Sequence, residues 1–399
     1  MKLCKGAVLA LAISYGLIYC HTNKSKFMLE QKGDSLTLIH ITNPTNYILL
    51  PIEEEAEESW VRLDIGDAAD TDMDIRLAQT KVDYWVPFVL PADAKTVTVR
   101  VQKSLGDALC WKEMKLSDTF DPSHTDKFRP VYHHAPLYGW MNNANGLVYE
   151  DEEYHLYYQY NPYGSKWGNM HWGHSISKDL MHWEHLAPAI VRDTLGHIFS
   201  GSSIVDQENV AGYGTGTILA FYTSASDKNG QIQCLAYSND NGRTFTKYDK
   251  NPILRSSDRR KDFRDPKVFW YAPGNKWIMI VAADKEMCFY DSEDLKDWNY
   301  MSSFGEGYGV QPCQFECPDM VELPVDGDTE HKKWVLIVNV NPGCYFGGSA
   351  TQYFIGDFDG TRFICDSKPD VTKWLDWGKD HYATVSFSNM GRRVIVVPW

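Results

Sequence analysis

The sequence predicts an all-β chain, a small N-terminal β-sandwich-like domain followed by a five-bladed β-propeller. Three observations carry this. Short runs rich in β-branched and aromatic residues, bounded by Gly, Pro, Asn and Asp, recur from residue 35 onward. A Ser-x-Asp turn with an aromatic residue a few positions later repeats through the second part of the chain. Beyond the first twenty residues, no stretch shows the apolar period of an amphipathic helix.

Size and charge set the outer bounds. A chain of 399 residues is long enough for two or three domains with sizeable cores. Lys and Arg total 39 against 53 Asp and Glu, a net charge of −14, and no basic tract exists. That excludes nucleic acid as a partner, because phosphate binding needs clustered cations. Apolar and charged fractions of 43% and 23% exclude disordered, collagenous and coiled-coil classes. The aromatic fraction of 14% suits strands, cores and sugar sites alike, and composition alone favours packing.

Residues 1–20 read as an export signal. Lys2 and Lys5 precede an apolar run over 7–19, too short to span a bilayer. Leu17-Ile18-Tyr19-Cys20 is similar to a bacterial lipobox with Cys20 as the lipidated residue. Tyr19 is bulkier than usual there, so a plain leader and a lipid anchor both stand. Either way the expected location is the periplasm or cell surface. Of nine cysteines, none forms a Cys-x-x-Cys pair, which argues against a zinc site and for buried thiols.

Residues 21–125 form the first module. Alternating segments at 35–41, 60–63, 83–89 and 96–101 suggest an antiparallel sandwich. Residues 118–130, with two prolines and several charges, read as a linker.

Residues 131–399 form the second. Hairpins are expected over 147–160, around four acidic residues, and over 268–282, around Pro273-Gly274-Asn275. Residues 333–340 read as an apolar strand. Ser177-Lys178-Asp179-Leu180-Met181-His182-Trp183 matches Ser292-Glu293-Asp294-Leu295-Lys296-Asp297-Trp298, and Ser238 to Phe245 has similar spacing. A Ser/Asp turn bonds its own backbone, and the aromatic is expected to anchor the turn in its blade. Repeats of roughly 50–60 residues, each a small sheet, mean a propeller with long loops, and this stretch holds about five.

A propeller gathers its inner strands at an axis, so chemistry there comes from distant segments at matching blade positions. Three motifs fit: Trp140-Met141-Asn142-Asn143-Ala144-Asn145-Gly146, Phe263-Arg264-Asp265-Pro266 and Phe315-Glu316-Cys317-Pro318. Singly they read as a turn, an ion pair and nothing in particular. His171 and His174, and likewise His133 and His134, read as packing or sugar contacts rather than metal ligands. Asp240-Asn241-Gly242 reads as a turn rather than a calcium site.

Taken together and in this order, the motifs resemble glycoside hydrolase family 32, the retaining β-fructosidases (invertases, inulinases, levanases). Tyr158-Gln159-Tyr160-Asn161-Pro162, Trp167-Gly168, His171-Trp172-Gly173-His174 and Phe199-Ser200-Gly201-Ser202 add to the likeness, which spans 131–399. The resemblance implies a five-bladed propeller acting on fructose-containing oligo- or polysaccharides, with no cofactor and no metal. It makes Glu316 the acid/base and Asp265 the stabiliser of the transition state. Trp140, Asn142, Gln159, Trp167, Phe199, Ser200 and Arg264 would shape a fructosyl pocket.

Two departures matter. The family carries Trp-Met-Asn-Asp-Pro-Asn-Gly, and its Asp is the nucleophile. Here that position is Asn143, followed by Ala144 instead of Pro. A neutral amide cannot form the ester-linked glycosyl-enzyme, and its loss typically costs roughly 10⁴-fold or more in kcat. The expectation is therefore a β-fructofuranosidase with impaired hydrolysis. The alternative is a non-catalytic fructan-binding propeller on the cell surface. An arabinan-degrading five-bladed relative is disfavoured by the ordered motif set. Second, family members continue into a C-terminal β-sandwich, whereas this chain stops at Trp399, where the last blade is expected to be incomplete. Linkage preference and oligomeric state have no signature here.

Overall fold

A computed structural model describes residues 19–20, 25–65, 68–91, 93–122, 129–258, 260–343, 345 and 347–399. The chain divides into two compact units: Met1–His124 with Pro162–Ser165, and Thr125–Asn161 with Lys166–Trp399. Among the described residues no helix is long and apolar enough to cross a membrane. The expected export leader lies outside the described residues except for Tyr19–Cys20, which pair with Phe27 and Lys26. Part of the expected linker, 123–128, also lies outside them.

The first unit is a sandwich of two antiparallel sheets. One has six strands in the spatial order Tyr19–Cys20, Lys26–Lys32, Leu36–Thr42, Thr96–Val101, Ser59–Ile65, Ala68–Ile75. The other joins Tyr84–Val89, Tyr47–Ile52 and Lys115–Ser117. The period-two pattern explains the burial. Phe27, Leu29, Ile39, Ile41, Val97 and Val99 face one core with Ile48, Leu50, Val86 and Phe88, while their strand neighbours Lys26, Met28, Thr42 and Arg100 are exposed.

The second unit contains four four-stranded antiparallel sheets, each built in sequence order. Blade I is Trp140–Glu150, Glu153–Asn161, His171–Ser177 and Glu184–Ile190. Blade II is His197–Asp206, Thr217–Ser226, Gly230–Ser238 and Thr246–Lys247. Blade III is Phe263–Tyr271, Lys276–Ala283, Glu286–Ser292 and Asn299–Phe304. Blade IV is Glu316–Val325, Asp328–Val340, Ala350–Phe358 and Phe363–Cys365. The fifth is a two-stranded sheet, Val385–Ser386 with Val396–Val397.

The first strands pack side by side in blade order, and Val385–Ser386 touches those of blades IV and I, which closes the ring. Backbone bonds fasten the closure: Tyr149 donates to the Ser388 carbonyl at 3.1 Å, and Ser388 to that of Leu147 at 3.0 Å.

Local sequence dictates the blade turns. Asp151 and Glu152, both at positive φ, make the two-residue turn whose twist suits a hairpin. In blade I the Ser177 hydroxyl accepts the Leu180 N–H at 2.8 Å, and Asp179 accepts those of Met181 and His182 at 2.8 Å. Ser292 and Asp294 repeat this in blade III, and Ser238 with Asp240 make a variant of it in blade II. Asp359 of blade IV caps Thr361 and Arg362 likewise, a fourth copy that lacks the serine.

The repeat aromatics reach further than expected. Three of them span blade boundaries instead of staying within a blade. Phe245 packs edge-on against Tyr157 of blade I, Trp298 against Phe221 of blade II and Phe363 against Phe304 of blade III.

His155 and His171 are sealed in this unit, and His134 is half-buried. Burial pushes His155 and His134 down to about 4 and His171 to about 3. Below the ordinary value of 6.5 the unfolded chain takes up protons that these folded rings refuse. Their stabilising contribution is complete above that value and is lost as pH falls toward the folded values, by about 1.4 kcal/mol per ring per pH unit. The melting temperature is therefore expected to drop steeply between pH 7 and pH 5. Calorimetry at intermediate pH values checks this, and a flat profile would contradict it.

Candidate active site

One backbone irregularity is repeated in four blades. In each first strand, two residues oppose a single residue of the second strand. The doubled pairs are Asn142-Asn143, Phe199-Ser200, Asp265-Pro266 and Cys317-Pro318. A bulge of this kind bends the strand and re-aims its side chains. Residues separated by more than 170 positions are thereby turned toward one axis. At two bulges the backbone enters the left-handed region, with φ of 61° at Asp265 and 43° at Cys317. After the blade II bulge, Gly201 is required: a Cβ there would fall 1.9 Å from the Phe221 carbonyl oxygen.

Six of these eight residues, all but Pro266 and Pro318, line a cavity of about 270 Å³. Its wall includes Asn142, Asn143, Gln159, Trp167, Phe199, Ser200, Arg264, Asp265 and Glu316, nine of the ten residues singled out from sequence. The tenth, Trp140, is not part of the lining; it is half-buried at the strand start, paired with Asn161. Trp167 is 54% exposed, stacked on His197 and edge-on to Phe199.

Each polar group has defined partners. Asn143 Nδ2 donates to Ser200 Oγ at 2.8 Å and to the Ala144 carbonyl at 3.2 Å, with Cys317 Sγ at 3.7 Å. Gln159 Nε2 donates to Asn145 Oδ1 at 2.8 Å. Glu316 Oε1 accepts from Arg264 Nη2 at 2.7 Å, and Oε2 accepts the Tyr382 hydroxyl. Arg264 also donates to Asp262 and lies 3.8 Å from Asp265 Oδ2. Asp265 Oδ2 accepts the Cys317 N–H at 2.9 Å, while its own N–H donates to Thr223 Oγ1 at 3.0 Å.

Burial shapes the charges. It opposes the Arg264 cation, but Asp265, Glu316 and Asp262 outweigh it and hold the guanidinium above its ordinary value. Burial raises Asp265, and Arg264 and the Cys317 amide only partly offset this. Burial followed by the Glu316 charge raises the Tyr382 phenol, which stays a donor. Burial likewise raises Cys317, leaving an unreactive thiol. The arrangement offers one carboxylate held by a cation and a phenol, one buried carboxyl, and an amide facing the same space.

Sequence reasoning missed Tyr382 and Cys317 in the wall. Cys317 adjoins Glu316 and was readable as a neighbour, whereas Tyr382 lies in a loop with no motif. It also missed an ion pair beneath the cavity, Lys267 with Asp319 at 2.9 Å. His171 and His174 are buried, His171 against the Asn169 carbonyl and His174 3.1 Å from His155. Among the described residues no three His, Cys, Asp or Glu side chains are grouped to hold a metal ion. Cys313 and Cys317 are both free thiols.

Comparisons with known proteins match this geometry. Residues 133–399 fit the model for the glycosyl hydrolases family 32 N-terminal domain, and residues 33–132 fit a domain of unknown function, DUF4980. The chain is 50% identical over 279 residues to a levanase of Bacillus subtilis, covering 69% of this chain and 41% of that protein. It is 43% identical over 284 residues to an invertase of Debaryomyces hansenii, covering 68% and 52%. The β-fructofuranosidase of Schwanniomyces occidentalis, solved with fructosyl-erythritol, superposes with a TM-score of 0.64 at 40% identity, covering 68% and 54%. The chain thus spans about half the length of the relatives it matches.

Proposed function

The chain belongs to glycoside hydrolase family 32, and from that premise we propose that its cavity receives a terminal fructosyl unit of a fructan or of sucrose. The observation that carries this is the convergence of Asn143, Asp265 and Glu316, from three blades, on one cavity.

In this reading Glu316 protonates the leaving oxygen. Arg264 and Tyr382 hold its two oxygens and so fix the direction in which the carboxyl points. Asp265, fixed by the Cys317 N–H, binds fructosyl hydroxyls as the charge develops. Trp167 and Phe199 supply the flat apolar walls.

Asn143 occupies the nucleophile position. Its Nδ2 is engaged by Ser200, and its neutral oxygen cannot form a stable bond to the anomeric carbon. The retaining route, which needs a carboxylate pair about 5–5.5 Å apart, lacks one member. The proposed activity is therefore β-fructofuranosidase-type hydrolysis, strongly impaired. Sugar binding without turnover is the second reading, favoured by the same amide. The leader-like run over 1–20 supports export, either with a plain leader or with Cys20 as a lipid attachment point.

The test is to incubate the protein with sucrose, inulin and levan, measuring free fructose together with calorimetric binding. Saturable binding is expected, with release at least roughly 10⁴-fold slower than in a family member bearing the Asp. Release at the rate of such a relative would refute the impairment. Absence of binding would refute the pocket.

A further inference from the structure

The first strands that carry the cavity continue to a second opening. Past their bulges, blade II presents Ile204 and Val205, blade III Val268 to Trp270, and blade IV Met320 and Val321. Three to five residues of extended chain separate the two sets, roughly 10–16 Å at the usual rise. Together with Trp277 and Phe387 they enclose a cavity of about 320 Å³. Between the two openings the axis narrows to a chamber of about 10 Å³, crossed by the Lys267–Asp319 pair and Ser386.

We propose that this far mouth is a second binding site, for a neutral furanose or pyranose ring. Several features define the ligand. Trp270 and Trp277 are cross-strand partners whose rings meet at 63° with centroids 5.1 Å apart. Trp270 is 42% exposed, so its indole presents a surface against which the C–H face of a sugar packs. Trp277, the partner of that indole, also lines the cavity, and its Nε1–H is buried beside it without an acceptor among the described residues, which makes it a sensitive reporter of ring packing there. The cation at the floor, Lys267, is already matched by Asp319, so the cavity presents no uncompensated charge to attract an anion. The volume falls in the range of small-molecule sites, roughly 300–1,000 Å³. Binding here does not depend on turnover in the first cavity.

The test follows indole signals by NMR in protein carrying ¹⁵N-tryptophan. Trp277, Trp270 and Trp167 are assigned by their Phe variants, and fructose, glucose, sucrose and short inulin oligosaccharides are titrated in turn. The expected result is a saturable shift of the Trp277 Nε1–H signal that persists in Asp265→Ala, where the first cavity is disabled. Trp270→Ala, a change at an exposed side chain, is expected to weaken that response at least about tenfold and leave the Trp167 response intact. Movement of Trp167 alone would overturn the second site and spare the first. Movement of neither would overturn both. A Trp277 response indifferent to Trp270→Ala would overturn the framing by the pair. Signals that move with protein concentration in the absence of sugar would assign the face to contact between chains and overturn the saccharide reading.

Discussion

Replacing Asn143 by Asp, alone and together with Ala144→Pro, is expected to raise fructose release by roughly 10⁴-fold or more. That corresponds to about 5 kcal/mol or more of barrier. The site is prepared for the change. Asp is nearly isosteric with Asn, and the one short side-chain bond at Asn143 runs to a hydroxyl, Ser200 Oγ, at 2.8 Å. A hydroxyl rotates, so it can donate to a carboxylate as readily as it now accepts from the amide. Glu316, Arg264, Tyr382 and Asp265 already stand around the same cavity. Ala144 is buried among Leu147, Tyr158, Cys317 and Tyr382, so the added proline ring has to fit a packed wall. The single variant separates the chemical gain from that packing cost. A folded double variant that binds fructan yet releases no fructose would show that residue 143 is not the position of the nucleophile.

Removing the Asp319 carboxylate is expected to cost about 3–5 kcal/mol, the usual penalty for stranding a buried charge. Asp319 has no exposed surface and Lys267 only 7%. Asp319 Oδ2 accepts from Lys267 Nζ at 2.9 Å and from the Ser386 N–H at 2.7 Å, and Ser386 Oγ lies within 3.0 Å of both. The pair therefore joins blade III, blade IV and the closing strand. Asp319→Ala leaves the ammonium unmatched and frees the strand that shuts the ring. Thermal melting should fall by roughly 10 °C in a domain of this size. The double change Asp319→Leu with Lys267→Met should lose less than the single one, because no charge is then left unpaired. A single variant that melts within about 2 °C of the parent would refute the assignment.

The contrast between what the sequence disclosed and what it hid follows from the reach of each signal. Hairpins were legible because alternation and turn residues are local: the expected strands at 96–101 and 147–160 agree with Thr96–Val101 and with the hairpin of Trp140–Glu150 and Glu153–Asn161. Nine wall residues were legible because they lie in motifs shared with a family. The bulges were not, since the extra residue is defined only by the partner strand opposite it. Asp359 escaped notice because its turn lacks the serine that marks the other three. Tyr382 lies 66 positions from the carboxylate that it contacts, with no pattern to link them. Lys267 and Asp319 stand within or beside readable motifs, but only the third dimension reveals that they are each other's counter-ion.

The recurrence of one main-chain irregularity at the same depth in four blades separates where a group stands from what that group is. Mounting points belong to the peptide scaffold, so a carboxylate can give way to an amide at residue 143 without disturbing its neighbours' aim. On such a frame, chemical power and molecular recognition are independently adjustable, and the Asn143→Asp exchange puts that separation to the test at a single atom.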